Sequence, residues 1–454
     1  MELKVKPVLT YGVYQRREAT SWRPWGGIQT EEDAQEEVRR IEGELGDLAS
    51  KASFPLKVFP VSPLKSAEDL SGVKEELSSS DVTLIYAAGG GGNILEELVS
   101  SSRWSIIFVR HRSGPLYLWY EIVHPAFLRK RSDEFRQPGV DVDDVVVDSY
   151  DEVLWRLRAL YGLKKTLGSR IISIGNPGGW GIGGRAVTLA QEKWKLEIKT
   201  VPYPELEERL KKAKSDENVV RQAHQQADEY LSQEGVTLQT DRKFVDNAFI
   251  LYRVFKDLME ELSSEAITVG GCMGTILPIA QTTACLTLSL LNDEGYLAFC
   301  ESDFVAIPSG ILLHHISGKP VFLNDPTYPH DGVVTLAHCT APRKMDGERY
   351  EDVKIMTHFE SDYGAAPKVD FRRGQEVTVI VPDFEEKVWV GFKGEILDAP
   401  LLPICRSQVD VKIEGDWRRL LREMRGFHWM MCYGDYLREV GYALKKVGIE
   451  WVVI

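Results

Sequence analysis

The stretch AITVGGCMGTILPIAQTTACLTLSLLNDEGYLAFCES, residues 266–302, reads as a strand, an apolar helical region and a second strand. AITVGG (266–271) and YLAFCES (296–302) are short and nearly continuously apolar, which is the pattern of parallel strands covered on both faces. On the N-terminal side the same alternation occurs: RIISIG (170–175), then the helical GGRAVTLAQEKW, then the strand LEIKTVPY (196–203). A long charged helical region from Pro204 to about Leu262, including the amphipathic RKFVDNAFILYRVFKDLMEEL, lies between the two pairs. Strands alternating with helices imply βαβ units and a doubly wound sheet.

The first third of the chain has the same texture. LKVFPV (56–61), DVTLIYAA (81–88), SIIFVR (105–110) and DVVVDS (144–149) are strand-like, and Glu31–Leu48 is helical. Thr30 with Asp33 three residues on marks a capped helix start. After about residue 346, VKIMTHFES, EVTVIVPD, KVWVGFKGEIL and QVDVKIEG are spaced by Gly, Pro and charged turns, the signature of antiparallel strands. A helix over 436–446 and a last strand, WVVI, close the chain. The expected fold class is α/β. Two Rossmann-like doubly wound domains (1–165 and 166–345) precede a C-terminal antiparallel β-barrel-like domain (346–454).

Composition narrows the function. The 454 residues carry 55 Lys+Arg against 68 Asp+Glu, a formal net charge of −13. An acidic balance argues against nucleic acid as a partner, whose footprint is a basic excess on one face. There is no apolar run of eighteen residues and no secretory leader pattern, so no membrane partner is expected and the localisation is read as cytoplasmic. The six cysteines, Cys272, Cys285, Cys300, Cys339, Cys405 and Cys432, form no CxxC pair, consistent with reduced thiols.

Two glycine-rich turns leave strands and enter helices: AAGGGGNILEELVS (87–100) and GNPGGWGIGGRA (175–186). Neither is a Walker A loop or a dinucleotide fingerprint, and no organic cofactor is expected. Glycine also simply permits tight strand-to-helix turns. The second turn sits where open α/β sheets bind ligands, beyond the C-terminal end of a strand.

The densest chemistry lies between residues 300 and 340. Glu301 ends the apolar run YLAFC, and Asp325 ends KPVFLND one βα unit later. Two neighbouring parallel strands would set these carboxylates side by side, where they repel unless a divalent cation lies between them. His338 in LAHC and His428 in GFHWMMCYGD are the candidate imidazoles. Oxygen ligands with an imidazole suit Mn²⁺, Mg²⁺ or Co²⁺. Each residue taken alone has a plainer reading, as a helix-start carboxylate or a hydrogen-bonded core histidine.

The runs TTACLTLSLLNDEGYLAFCESDF, PVFLNDPT and LAHCTAP, followed by THFESDYGAAPKVDFRRGQEVTVIVPD, CRSQVDVKIEG and GFHWMMCYGDY, together resemble the L-fucose isomerase and L-arabinose isomerase superfamily over about 270–454. The resemblance implies that Glu301, Asp325 and His428 ligate one divalent metal, usually manganese, with Glu301 and Asp325 as the catalytic acid/base pair. It implies an aldose–ketose isomerase moving a proton between C1 and C2 of an open-chain sugar through an enediol, in a homotrimer or homohexamer. A metal-dependent sugar lyase or epimerase of the same enediol chemistry, or a non-catalytic sugar-binding relative, are the alternatives. The L-fucose isomerases carry a sugar-contacting Asn before the C-terminal histidine, whereas this chain has Phe427 there, followed by Trp429. A deoxy, modified or differently sized sugar is therefore expected.

His338 and Trp429 are expected to contact the substrate, as are Arg23 and Trp25 of the loop YQRREATSWRPWGG (14–27). Indole and guanidinium groups suit stacking on, and hydrogen bonding to, a sugar or an anionic substituent. In the resembling family the N-terminal domain of one subunit closes its neighbour's active site, so this loop would act in trans.

Overall fold

The apolar runs of the first third pair in parallel. In the computed structural model, which describes residues 1–129 and 137–454, β1 (Leu3–Thr10), β2 (Leu56–Val58), β3 (Ser62–Leu64), β4 (Val82–Ala87), β5 (Trp104–Val109) and β6 (Val145–Val147) share one sheet. Its path is β2-β1-β4-β5-β6, with β3 also beside β1, and every pairing is parallel. β4 and β5 are buried at every position, as two-sided coverage requires. The helix Glu31–Lys51 begins at the reciprocal Thr30–Asp33 capping box read from the sequence. These elements make one compact unit, Met1–Tyr161.

The second unit, Gly162–Ile454, contains both of the remaining architectures. In chain order its strands are β7 (Arg170–Ile174), β8 (Glu197–Val201), β9 (Val236–Leu238), β10 (Ala266–Val269), β11 (Leu297–Cys300), β12 (Phe322–Pro326) and β13 (Val333–His338). There follow β14 (Val353–His358), β15 (Tyr363–Val369), β16 (Glu376–Val381), β17 (Val388–Asp398), β18 (Ser407–Glu414), β19 (Trp429–Tyr433) and β20 (Glu450–Val453). β11-β10-β7-β8 form a parallel sheet. β16-β19-β12-β13-β18-β17 form an antiparallel barrel, closed by pairing of β17 with β16, and β20 joins β17 in parallel.

Three details differ from the sequence reading. The helical region after Pro204 is divided into Tyr203–Ser215, Glu217–Leu231 and Arg242–Glu261, with Asp216 and Asp241 capping the second and third. The break after Leu231 passes Gly235, whose φ of +77° suits glycine, and leads into β9. β14 pairs with both β9 and β15 in a separate three-stranded sheet rather than in the barrel. β12 is not a parallel neighbour of β11. It is an antiparallel barrel strand between β19 and β13, because the chain after β11 leaves the parallel sheet.

A single apolar core explains why these segments form one unit. Ile172 and Val269 of the parallel sheet belong to the same continuous cluster as Phe392 and Trp429 of the barrel. No single helix among the described residues is long and apolar enough to cross a membrane.

One buried acid tests this packing. Glu386, in the turn between β16 and β17, accepts a 3.1 Å hydrogen bond from the Trp194 indole, which stacks on Trp389. Burial pushes its carboxyl up to about 8, the Trp194 hydrogen bond opposing only in part. Between the unfolded value of about 4.5 and about 8, the folded protein keeps a proton that the unfolded chain has released. Stability should therefore fall as pH rises through that window. Glu386→Gln should be more stable than wild type at pH 9 by more than about 1 kcal/mol and nearly equal at pH 4, measured by urea unfolding; parallel pH profiles would show that Glu386 does not titrate this way.

Candidate metal centre

The order β11-β10-β7-β8 means that the chain leaves β7 for β8 on one side and later fills β10 and β11 on the other. The reversal opens a crevice at the C-terminal ends of β7 and β10, the usual ligand position in open parallel sheets. The glycine-rich loop after β7 brings Trp180 to this edge, and β11 ends directly before Glu301. Glu301 (φ +63°) and Ser302 (φ +47°) are consecutive non-glycine residues in the left-handed region, a strained arrangement typical of functional turns. The backbone locks it: Gly178 N–H donates to Ser302 O at 3.3 Å, and Phe304 N–H to Gly178 O at 2.9 Å.

The barrel supplies the opposing groups through its register. Asn324 pairs with Trp429, so Asp325 lies level with His428, and Asp325 pairs with Ala337, one residue before His338. Three adjacent strands, β19, β12 and β13, thus deliver two imidazoles and a carboxylate at one height. Gly426, just before the histidine segment, has φ +50°, and a Cβ there would sit 2.6 Å from Pro382 O. Only glycine turns the chain so tightly into His428.

The side chains of Glu301, His338 and His428 each offer a ligand atom within 4.8 Å of the others. His338 Nε2 is 3.7 Å from Glu301 Oε1, and His428 Nε2 is 3.5 Å from Glu301 Oε2 and 3.2 Å from Asp325 Oδ1. Asp325 Oδ1, His338 Nε2 and His428 Nε2 are buried and make no hydrogen bond. Buried polar atoms without partners are rare and destabilising. Two of them, on His338 and His428, group with the Glu301 carboxylate, and the third, Asp325 Oδ1, lies beside His428, an arrangement that fits a divalent cation with mixed nitrogen and oxygen ligands.

The other ring nitrogens are already engaged. His428 Nδ1 is 2.8 Å from Asp303 Oδ2, both residues being fully buried, and His338 Nδ1 is 3.1 Å from Thr340 Oγ1. Asp303 is itself fixed, since its Oδ1 accepts from the Trp180 and Val305 backbone N–H groups at 3.1 Å each. With Nδ1 donating to Asp303, His428 presents the Nε2 lone pair to the site. A carboxylate behind a histidine is the usual device for fixing a metal-binding tautomer. Trp180 also donates from its indole to Glu301 Oε2 at 2.9 Å and stacks on Phe427 at 4.3 Å.

The two carboxylates are pushed apart electrostatically. Burial works to raise Glu301, but the neighbouring His338 imidazole and its charge, with the His428 charge and the Trp180 hydrogen bond, hold it down to about 2. Asp325 is raised, by burial first and then by the Glu301 charge, against the pull of His338 and His428. Burial would lower both imidazoles, yet their acidic neighbours raise them: Glu301 and Asp325 for His338, Asp303, Asp325 and Glu301 for His428.

These groups open on a cavity of about 530 Å³ lined also by Met273, His358, Glu360, Phe427 and several cysteines. That volume suits a small ligand. Of the sequence-predicted residues, Glu301, His338 and His428 form one group that could hold a metal ion; Asp325, expected as a ligand, lies outside that group but reaches His428 Nε2 at 3.2 Å, and His338, expected at the substrate, takes the place among the candidate ligands. Trp429 is not a substrate contact: it is wholly buried in the core, edge-on to Phe392, with its indole donating to Arg425 O. Arg23 and Trp25 belong to the first unit. There the Arg23 guanidinium lies over Trp22 at 4.8 Å, and Trp25 is exposed. Asp303 and Trp180 escaped the sequence reading, although Asp303 stands two residues after Glu301 and Trp180 interrupts the glycine run.

No family model matches this chain, and no curated protein sequence matches it.

Asp303→Asn removes the charge that fixes His428, and it should weaken divalent-metal binding by about 10- to 100-fold while leaving the fold intact. Protons compete for the same Nε2 atoms, and both imidazoles hold theirs above the ordinary value of 6.5. Wild-type metal affinity should therefore fall as pH drops through 7 and 6. Calorimetric titration of metal at several pH values checks both statements; a wild-type affinity in Asp303→Asn, or one independent of pH, would contradict them.

Proposed function

We propose that the protein is a metal-dependent aldose–ketose isomerase acting on an open-chain sugar, and that the ion is manganese or a similar divalent cation. The observation that carries this reading is the grouping of Glu301, His338 and His428, whose ligand atoms lie within 4.8 Å of one another, with His338 Nε2, His428 Nε2 and the neighbouring Asp325 Oδ1 all buried and without hydrogen bonds. The resemblance of 270–454 to the L-fucose and L-arabinose isomerases points the same way.

Glu301, His338 and His428 would hold the cation, with Asp325 beside them. When bound, the ion supplies Lewis-acid polarisation of the sugar carbonyl, which acidifies the neighbouring C–H. The chain's own groups then move the protons. In the aldose-to-ketose direction one carboxylate takes the proton from C2 and returns it to C1, and the other passes the hydroxyl proton from O2 to O1. Two carboxylates of unlike proton affinity suit that division. Trp180 keeps Glu301 in place through its indole N–H, and its ring with Phe427 forms an aromatic wall to the cavity. An apolar wall favours a sugar face rich in C–H groups over one needing an amide contact.

A panel of aldoses, including deoxy and anionic ones, assayed for ketose after metal stripping and Mn²⁺ addition, tests the reading. Turnover should require the cation, and Glu301→Gln and Asp325→Asn should each lower kcat by at least about 100-fold with an unchanged circular dichroism spectrum. Full activity in either variant, or no ketose from any sugar in the panel, would overturn it. Trp180→Phe keeps the ring and loses the N–H, so it should lower kcat more than it raises KM.

A further inference from the structure

The cavity beside the metal group has a second polar wall. Of the described residues that line it, Glu301 and His338 belong to the metal group with Asp325 beside them, and the Trp180 indole N–H is spent on Glu301. Most of the rest is glycine, Met273, Phe427 and cysteine, and thiols are weak hydrogen-bond donors. His358 and Glu360 are the strongly polar side chains that remain.

Both sit at one end of β14. His358 is its last residue, buried, and pairs with Tyr363 of β15 across a register shift that follows Met356. Glu360 is exposed in the turn to β15. The Arg406 guanidinium anchors this end of the strand, donating to Thr357 O at 2.6 Å and to Thr357 Oγ1 at 3.2 Å and covering the Phe359 ring. The Arg406 backbone N–H donates to Cys339 Sγ at 3.4 Å, next to His338. His358 is thus tied to the barrel strand that delivers a candidate ligand. Its Nδ1 is 3.4 Å from Ser361 Oγ, which leaves Nε2 for a ligand. Burial, against the opposing Glu360 charge, lowers the imidazole below 6.5, so near pH 7 the ring is neutral, one nitrogen donating and the other accepting.

A linear sugar held by its first two carbons at the metal group carries a hydroxyl on each further carbon, and burying hydroxyls without partners is costly. We propose that His358 and Glu360 read those distal hydroxyls, and so set the length and hydroxylation of the chain that the cavity accepts. The imidazole serves a hydroxyl as donor or acceptor, and the Glu360 side chain adds two acceptor oxygens. A wall built to hydrogen-bond a hydroxyl discriminates against the analogue lacking it. That the ligand is an open-chain sugar rests on the isomerase reading; the wall itself selects a linear polyol.

Calorimetric binding of linear alditols of three to six carbons to the Mn²⁺-loaded full chain tests this without requiring turnover. Wild-type affinity should rise by at least about 10-fold between the three-carbon and five-carbon members. His358→Phe and Glu360→Ala should each flatten that rise while Mn²⁺ affinity stays at the wild-type value, a pattern that mere structural damage would not produce. A rise as steep as wild type in both variants, no rise in wild type, or a loss of Mn²⁺ affinity in His358→Phe would overturn the proposal. A rise present in wild type and flattened in the variants, with no ketose formed from any aldose, would sustain this wall and remove the isomerase reading alone. Should His358→Phe fail to fold, the exposed Glu360→Ala decides.

Discussion

Glu301 and Asp325 both lie within 3.5 Å of one imidazole nitrogen, His428 Nε2, and the rest of the site is built around that crowding. Two unit negative charges about 6 Å apart at an effective dielectric constant near 20 repel by about 3 kcal/mol. That is a large part of a protein's net stability. The charge has to be offset by protons on His338, His428 and Asp325, or by a cation in their midst. The raised proton affinities of these three groups and the absence of hydrogen bonds at their facing atoms express one fact. The site gathers negative charge and lone pairs.

Holding such a group together requires support from outside it. Asp303 is fully buried, and it accepts two backbone N–H bonds on one oxygen while its other oxygen meets His428. A buried carboxylate is tolerable when its lone pairs are satisfied in this way. The same acceptor contacts tie the loop after β7 to the turn after β11, so that Trp180, Glu301 and His428 are positioned by a shared set of hydrogen bonds. The left-handed backbone at Glu301 and Ser302 is retained because that network over-determines it.

The sequence made much of this visible and hid the rest for identifiable reasons. Buried parallel strands such as β4, β5, β7 and β10 are short apolar runs, and local pattern alone reveals them. Glu301 and Asp325 were legible because each ends an apolar run, where a carboxylate is conspicuous. The relation between their strands was not legible, since KPVFLND reads equally well as a parallel strand or as a barrel strand buried on both faces. Which it becomes depends on pairing with residues 429–431, about a hundred positions later. Trp429 shows the same limit: an indole beside a candidate ligand looks like a substrate wall until the strand places it in the core. Asp303 carries no local signal, because its role exists only when the turn after β11 meets a histidine 125 residues away.

Building a charged centre from two sheet systems has a consequence for how rigidly it can be held. The parallel-sheet edge contributes Glu301 and Trp180, and the barrel contributes Asp325, His338 and His428, yet both sets grow from one apolar core. Relative sliding of sheet edge and barrel would have to break the packing of that core as well as the Asp303–His428 contact. A site on a freely moving loop would lose ligand geometry with thermal motion, and metal chemistry tolerates little of that. Joining the two architectures through the core is thus what allows residues far apart in the chain to stay close together without a covalent link.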